Sequence, residues 1–135
     1  MTSLGKERKT IEVVAAVIVQ DGRVFATQRG YGDYKGWWEF PGGKIEKGET
    51  KEQALKRELR EELAIETEIG NLIKSVEFDY PKFHLVLHCF LAKIIHGEPK
   101  LLEHESARWV DRSNIDDLNW LKADLEVIEK IKTLL

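Results

Sequence analysis

Residues 38–65 read WEFPGGKIEKGETKEQALKRELREELAI, and this segment carries the clearest structural signals in the chain. Thr50 and Gln53 have the spacing of a capping box, in which a hydroxyl and an amide close the first turn of a helix. The spacing predicts a helix over residues 51–63. Leucines recur at every fourth position along it and predict a buried stripe, made of Leu55, Leu59 and Leu63.

The predicted helix carries glutamates on the face beside the leucine stripe. Glu58, Glu61 and Glu62 span about 100° of the helix circumference. Glu58 and Glu62 are like charges at i and i+4, a pair that costs about 0.2–0.5 kcal/mol on an isolated helix. A divalent cation would turn this repulsion into attraction, so the pattern indicates a metal site. The alternative is a solvated acidic face that Arg57 and Arg60 balance.

The segment before the helix favours the metal interpretation. Residues 40–44 read FPGGK, and the glycines let the backbone pass close to a ligand because they carry no side chain. A backbone carbonyl from this turn and carboxylates from the helix can hold one cation from two sides. Oxygen ligands of this kind favour Mg²⁺ or Mn²⁺ over zinc.

The same stretch resembles a family motif, the Nudix box, which reads G-x5-E-x7-R-E-U-x-E-E-x-G-U with U an apolar residue. The matching residues are Gly43-x5-Glu49-x7-Arg57-Glu58-Leu59-x-Glu61-Glu62-x-Ala64-Ile65. Every fixed position agrees except Ala64, where the family has glycine. That glycine is expected to end the helix in a left-handed conformation, in which alanine costs about 1 kcal/mol.

The resemblance extends beyond the box and implies a fold. Residues 38–46 are similar to the start of the box in bacterial MutT-type nucleotide pyrophosphohydrolases. Residues 11–18 and 103–110 resemble the CTP pyrophosphohydrolase branch of the family. The fold implied is an α/β/α sandwich, with a mixed β-sheet between helices.

The remaining segments predict strands on both sides of the helix. Residues 11–19 form a β-branched run that is typical of a strand buried on both faces, and Asp21-Gly22 predicts a tight turn into a strand over residues 23–29. Pro41-Gly42-Gly43 is predicted to break a short strand over residues 37–40. Later strands are predicted near residues 69–78, 83–94 and 108–110.

The chain is predicted to be one domain over residues 11–135, after a flexible tail over residues 1–10. A final helix is predicted over residues 122–134, with Leu125, Ile128 and Ile131 on its apolar face. Cys89 stands in an apolar run and is expected to be a buried, inert thiol. With a single cysteine no usual zinc set can be assembled, and the histidines are interpreted as structural.

Composition excludes several classes of protein. The chain has 135 residues and a formal net charge of −3, which argues against a groove for a nucleic acid polymer. No segment has the ~18 apolar residues of a membrane helix, and the start lacks the apolar centre of a signal peptide. We therefore expect a cytoplasmic protein without a membrane partner, either a monomer or a homodimer.

The resemblance assigns metal and catalytic roles to residues of the box. Glu58, Glu61 and Glu62 would bind Mg²⁺, or Mn²⁺ as a substitute, together with the carbonyl of Gly42. Arg57 would orient a neighbouring glutamate through a charge-assisted hydrogen bond.

That oriented neighbour is Glu49 or Glu58. The general base is likewise open between Glu58 and Glu103, which precedes Trp109 by the spacing of a metal-linked glutamate in MutT-type enzymes.

Substrate contacts are expected from residues outside the box motif. Arg29 would contact a phosphate, or else be a strand-end charge in water. Glu39 and Phe40 would contact the substrate, although an aromatic ring near a sheet is often part of the core. Asp124 would read the base, for example by accepting from a cytosine amino group. The alternative for Asp124 is a helix cap.

The reaction implied is hydrolysis of a nucleoside triphosphate to monophosphate and pyrophosphate. The substrate would be an oxidised nucleotide such as 8-oxo-dGTP, or a CTP or dCTP type of nucleotide. One alternative is hydrolysis of another nucleoside diphosphate derivative, such as ADP-ribose or a dinucleoside polyphosphate. The other is a non-catalytic module that binds a nucleotide, although such a module would be expected to lose some box carboxylates.

Overall fold

The computed structural model describes residues 8–135, which fold into four strands, a helix, three further strands and a final helix. The strands are β1 (Lys9–Gln20), β2 (Arg23–Gln28), β3 (Trp38–Glu39), β4 (Gly42–Lys44), β5 (Glu66–Tyr80), β6 (Phe83–His96) and β7 (Ser106–Val110). The α-helices are α1 (Lys51–Leu63) and α2 (Leu125–Ile131). Single 3₁₀ turns cover Ile115–Asp117, Lys122–Asp124 and Lys132–Leu134.

Strand β1 is the centre of a mixed sheet. It runs parallel to β6, and β5 completes that side as an antiparallel edge. On the other side, the first half of β1 pairs with β4 and its end pairs with β2, which in turn pairs with β3 and β7.

The two helices cover opposite faces of this sheet. Leu55, Leu59 and Leu63 of α1 are fully buried against the face that carries Val14 and Phe90. The residues of α2 pack against the opposite face, which carries Val17, Leu87 and Cys89 among others. The predicted α/β/α sandwich with a mixed sheet is confirmed.

The start and the end of α1 follow from local sequence. Thr50 Oγ1 accepts from Gln53 N at 3.1 Å, and Gln53 Oε1 accepts from Thr50 N at 2.9 Å, so the predicted capping box is confirmed. Ala64 has φ 57° and ψ 38° at the end of the helix, the left-handed conformation expected of the glycine that it replaces. The β6–β7 loop (residues 97–105) then binds the last helical carbonyls, with Lys100 N on Leu63 O at 2.8 Å.

Three predictions about element bounds and faces need correction. The short strand predicted over residues 37–40 does end before Pro41, but Gly42 and Gly43 then form β4, which was not predicted. A glycine at position 42 lets this strand approach β1, because a Cβ there would overlap Val14 O. Lys9 and Thr10 belong to β1 and pair with β6, so the predicted tail is too long; residues 1–7 lie outside the described residues.

The third wrong prediction concerns the apolar face of α2. Leu125 is 49% exposed, although it was expected beside Ile128 and Ile131. The buried positions follow the spacing i, i+3, i+4, i+7 from Asp124, through Val127 and Ile128 to Ile131. With this spacing, the side chain of Leu125 points to solvent and the side chain of Asp124 points into the protein.

Other sequence expectations hold. Asp21 and Gly22 have φ of 54° and 75°, as a tight hairpin turn requires. Cys89 is fully buried, and burial raises the pKa of its thiol, as expected of an inert residue. Among residues 8–135, no helix is both long and apolar enough to cross a membrane.

Candidate active site

A cavity of about 620 Å³ opens between β4, the acidic face of α1 and the start of α2. The glutamates of α1 and Glu103 line one part of it. Arg29, Glu39 and His104 line the middle, and Tyr34, Phe40, Tyr80, Leu121, Ala123 and Asp124 line the remainder. The cavity therefore joins a strongly acidic region to an apolar pocket that ends on one carboxyl group.

The acidic face of α1 lies directly on the glycine turn. A Cβ on Gly43 would fall 2.3 Å from Glu58 Oε2, so only glycine lets this carboxylate rest against the backbone of β4. Gly42 is constrained more strictly, because a Cβ there would overlap the backbone of Val14 and Ala15 in β1. The expected meeting of helix carboxylates and glycine backbone is thus present in the geometry.

Arg57 ties these carboxylates together. Its Nε donates to Glu49 Oε2 at 2.7 Å, and its Nη1 donates to Glu58 Oε1 at 2.8 Å and to Glu61 Oε1 at 3.1 Å. Nη2 reaches Glu49 Oε1 and the carbonyl of Lys44, both at 3.0 Å. Sequence reasoning left Glu49 and Glu58 as alternative partners of Arg57, and the side chain contacts both.

The pKa values of Glu49 and Glu58 are shifted in opposite directions. The hydrogen bonds from Arg57 hold the pKa of Glu49 below its usual range. Glu58 behaves in the opposite way, because burial raises its pKa and Arg57 only opposes that effect. The surroundings of Glu49 therefore favour its ionised form, which binds Arg57. The surroundings of Glu58 disfavour its ionised form.

Glu62 shows the strongest effect of crowding. Burial raises the pKa of Glu62 to about 8, and the neighbouring charges of Glu58 and Glu103 add to the shift. Its Oε1 is buried and has no hydrogen-bond partner among residues 8–135. A buried acceptor without a partner is costly, so it marks a place where a ligand belongs.

These residues fit a hard divalent cation. The donors are carboxylate oxygens and a backbone carbonyl, and the raised pKa of Glu62 records a negative potential that a cation would relieve. Among residues 8–135, no three acidic, histidine or cysteine side chains already converge on one point. Arg57 contacts only Oε1 of Glu58 and Oε1 of Glu61, so the second oxygen of each carboxylate is left for a cation.

Arg29 and Glu39 form an ion pair in the middle of the cavity. Arg29 Nε donates to Glu39 Oε2 at 3.0 Å, so the arginine does not simply end a strand in water. Burial raises the pKa of Glu39, and Arg29 opposes the rise. Both charges also act on Asp124, which connects the ion pair to the far part of the cavity.

Asp124 lies in the pocket and does not cap a helix. It is 4% exposed, and its side chain accepts no capping hydrogen bond from α2. Burial raises its pKa well above the usual range. The helix-cap alternative is therefore not supported. The carboxyl group lines a cavity of ligand size, and a backbone hydrogen bond from Phe40 opposes the rise of its pKa.

The aromatic residues divide between core and cavity. Phe40 lines the cavity but packs its ring on Trp120 at 4.8 Å between centroids, and only 2% of it is exposed. Tyr80 lines the same pocket, and its hydroxyl accepts from Ala123 N at 3.1 Å. Tyr34 packs edge-on against Tyr80. Sequence reasoning assigned no role to either tyrosine, because their meeting depends on loops that are far apart in the sequence.

Sequence reasoning also missed His104. It was interpreted as structural, yet its side chain is only 8% exposed and lines the cavity beside Glu62 and Glu103. Burial and the charge of Arg29 lower its pKa, so its contact with Glu62 is not an ion pair. The sequence signal that could have identified His104 as a site residue is its position next to Glu103.

Comparisons with known proteins agree with this geometry. A family model described as the NUDIX domain matches residues 9–131. The chain is 37% identical to the CTP pyrophosphohydrolase of Escherichia coli K12, over 93% of this chain and 94% of that protein. It is 35% identical to the 8-oxo-dGTP diphosphatase of Haemophilus influenzae, over 93% of both.

Solved structures show the same similarity. The solution structure of the E. coli ORF135 protein has a TM-score of 0.80 and 36% identity, with 97% of this chain and 94% of that chain covered. The crystal structure of a MutT NUDIX hydrolase from Burkholderia pseudomallei has a TM-score of 0.84 and 29% identity, covering 92% of this chain and 99% of that chain. The similarity therefore extends over nearly the whole chain.

Proposed function

Because the chain belongs to the Nudix family of hydrolases, we propose that it is a nucleotide pyrophosphohydrolase that converts a nucleoside triphosphate and water to monophosphate and pyrophosphate. The observation that carries this proposal is the contact between Gly43 and Glu58, at one end of a cavity whose other end holds Asp124. A diphosphate at the acidic end and a base at the apolar end would use the whole cavity.

We assign a divalent cation to the acidic end, Mg²⁺ by preference and Mn²⁺ as a substitute. Its ligands would be Glu58, Glu61, Glu62 and the carbonyl of Gly42. When bound, such an ion neutralises charge on the diphosphate oxygens and lowers the pKa of a coordinated water. The unpartnered Oε1 of Glu62 and the crowded carboxylates support this assignment.

Arg57 and Glu49 support the ligands and do not touch the substrate. Glu49 accepts two hydrogen bonds from the guanidinium, and the Nη1 of that group reaches Glu58. The planar guanidinium of Arg57 fixes the positions of the α1 carboxylates before the ligand binds. We therefore assign a positioning role to this pair.

The general base is better assigned to Glu103 than to Glu58. Glu58 is held by Arg57 and rests against the backbone of Gly43, and it is a proposed ligand of the cation, so its carboxylate is already engaged. Glu103 is exposed in the β6–β7 loop, lines the cavity and accepts no side-chain hydrogen bond from residues 8–135. Glu103→Gln should lower kcat by about 10²–10⁴-fold with little change in cation affinity.

The middle and far parts of the cavity are assigned to the substrate. Arg29 would contact a phosphate once its ion pair with Glu39 adjusts, and Glu39 and Phe40 would border the nucleoside. Asp124 would read the base. A neutral carboxyl group has one donor and one acceptor, which matches the adjacent N3 and amino group of cytosine.

The names of the relatives support triphosphate substrates of two kinds. The E. coli protein is a CTP pyrophosphohydrolase and the H. influenzae protein an 8-oxo-dGTP diphosphatase, at similar identity to this chain. Neither name points to ADP-ribose or to a dinucleoside polyphosphate. The box carboxylates Glu49, Glu58, Glu61 and Glu62 are all present, which counts against a module that only binds.

A nucleotide panel with Mg²⁺ tests the proposal. It should contain CTP, dCTP, 5-substituted cytosine nucleotides, 8-oxo-dGTP, ADP-ribose and a dinucleoside polyphosphate, with pyrophosphate and phosphate both measured. We expect pyrophosphate from at least one triphosphate and none with Glu62→Gln. Folded wild-type protein that releases no pyrophosphate from any triphosphate would overturn the assignment.

A further inference from the structure

Two of the three buried, unpartnered side-chain polar atoms in residues 8–135 belong to neighbouring residues that line the cavity. These atoms are Glu62 Oε1 and His104 Nδ1, and the third, Thr67 Oγ1, does not line the cavity. His104 Nε2 lies 3.9 Å from Glu62 Oε1, just beyond hydrogen-bond length. A shift of about 1 Å by either side chain would close that gap.

The β6–β7 loop is braced so that the imidazole stays beside Glu62. Leu102 N donates to the carbonyl of Glu62 itself at 3.2 Å, and Glu105 N donates to Gln28 O at 3.0 Å. A Cβ on Gly30 would lie 3.2 Å from Glu105 N, so the loop packs closely on the end of β2. One loop thus holds the backbone of Glu62 and also places a side chain against its carboxylate.

The chemistry of the two side chains fixes the direction of a hydrogen bond between them. With a cation bound, Glu62 is an ionised carboxylate, which only accepts, so the nitrogen that faces it must be the donor. Nε2 is that nitrogen, which leaves Nδ1 as the acceptor of a neutral ring. A residue that only filled space here would gain nothing from two buried nitrogens.

We propose that His104 is a positioning residue that donates from Nε2 to Glu62 Oε1 and so fixes the orientation of this carboxylate toward the cation. This inference rests on the proposed function, since it assumes that Glu62 binds the ion. It adds a role for a histidine outside the box, carried by the same loop that presents Glu103. Partners of this kind orient metal ligands, and their loss commonly costs 10–100-fold in metal affinity.

Binding of Mn²⁺ alone, followed by electron paramagnetic resonance, tests the proposal without turnover. We expect His104→Ala to weaken Mn²⁺ binding by about 10–100-fold. His104→Gln keeps an N–H near the position of Nε2 and should stay within about threefold of wild type. His104→Asn places its N–H near Nδ1 and should bind as weakly as the alanine variant.

The controls separate this role from a structural one. His84→Ala removes a histidine outside the cavity that contacts Asp79 and Glu77, and it should leave Mn²⁺ affinity unchanged. In a Glu62→Gln background, His104→Ala should cause no further loss, because its only target is already altered. The ¹⁵N shifts of the wild-type ring with Mg²⁺ should show a proton on Nε2.

The outcomes also separate this proposal from the proposed function. Wild-type Mn²⁺ affinity in folded His104→Ala, or better binding by the Asn variant than by the Gln variant, would overturn the role of His104 alone. If Glu62→Gln binds Mn²⁺ and releases pyrophosphate like wild type, the metal assignment itself is wrong. Should the alanine variant not fold, the comparison of Gln with Asn decides.

Discussion

The carbonyl of Ala64 lies against Gly97, where an added Cβ would stand 3.0 Å from the oxygen. Ala64 ends α1 with φ 57°, and Gly97 begins the β6–β7 loop with φ 91°. The end of α1 therefore packs closely on the start of the β6–β7 loop, which carries Glu103 and His104. Backbone strain at Ala64 lies where these two segments meet, and both segments line the cavity.

Replacing Ala64 with glycine should stabilise the protein. Alanine costs about 1–2 kcal/mol in the left-handed conformation, and glycine loses part of that gain through the greater freedom of its unfolded chain. We expect the free energy of unfolding in urea to rise by about 0.5–1 kcal/mol. Ala54→Gly in the helix interior should instead lower it by at least about 1 kcal/mol, since Ala54 is buried and helical. A loss of stability in Ala64→Gly would show that the alanine is not strained.

The local part of this architecture is readable from the sequence. The capping box and the leucine stripe of α1 depend on residues three or four apart, so both were predicted with the observed bounds. The contact of Arg57 with Glu49 is also near in sequence, and the family resemblance gave Glu49 as one of two expected partners. Interactions within one element and its flanking turn need no knowledge of the rest of the chain.

The nonlocal part was not readable in this way. Gly42 is in a strand only because β1 passes within reach of it, and His104 enters the cavity only because its loop binds α1 at one end and β2 at the other. The face of α2 was misjudged for a similar reason. Leu125 and Asp124 are adjacent, and the packing of the helix on the sheet decides which of them is buried.

Arg57→Lys should impair the enzyme although the charge is kept. Lysine cannot present the planar fork that binds Glu49 and Glu58 together, so the carboxylates of α1 lose their fixed positions. We expect kcat/KM for the preferred triphosphate to fall by about 10–100-fold. Arg60→Lys is the matched control, because Arg60 binds Glu66 with two hydrogen bonds of 2.7 and 2.9 Å outside the cavity. Equal effects of the two substitutions would contradict the positioning role.

The stability of the metal-free protein should fall as the pH rises. Glu62 has a pKa of about 8 in the folded protein, against 4.5 for an unperturbed glutamate, so the folded chain binds more protons between these values. Its contribution is present below about pH 4.5 and is lost as the pH rises to about 8, with a slope of up to about 1.4 kcal/mol per unit.

Urea unfolding in EDTA at several pH values measures this slope. Glu62→Gln should flatten it, and the exposed control Glu126→Gln should not. Added Mg²⁺ should also flatten it, because the ion favours the ionised carboxylate. An unchanged slope in Glu62→Gln would mean that other groups cause the pH dependence.

Asp124→Asn should change base preference more than overall rate. The carboxyl group is buried at the apolar end of the cavity, far along the chain from the carboxylates of α1, and an amide there presents a donor and an acceptor that cannot exchange. Preference is measured as the ratio of kcat/KM for CTP to that for 8-oxo-dGTP, and we expect the ratio to change by about tenfold or more, as one buried hydrogen bond to the base allows. Glu126→Gln, on the exposed side of the same helix, should leave both values unchanged. A similar fall for every nucleotide in Asp124→Asn would indicate that Asp124 supports the pocket without reading the base.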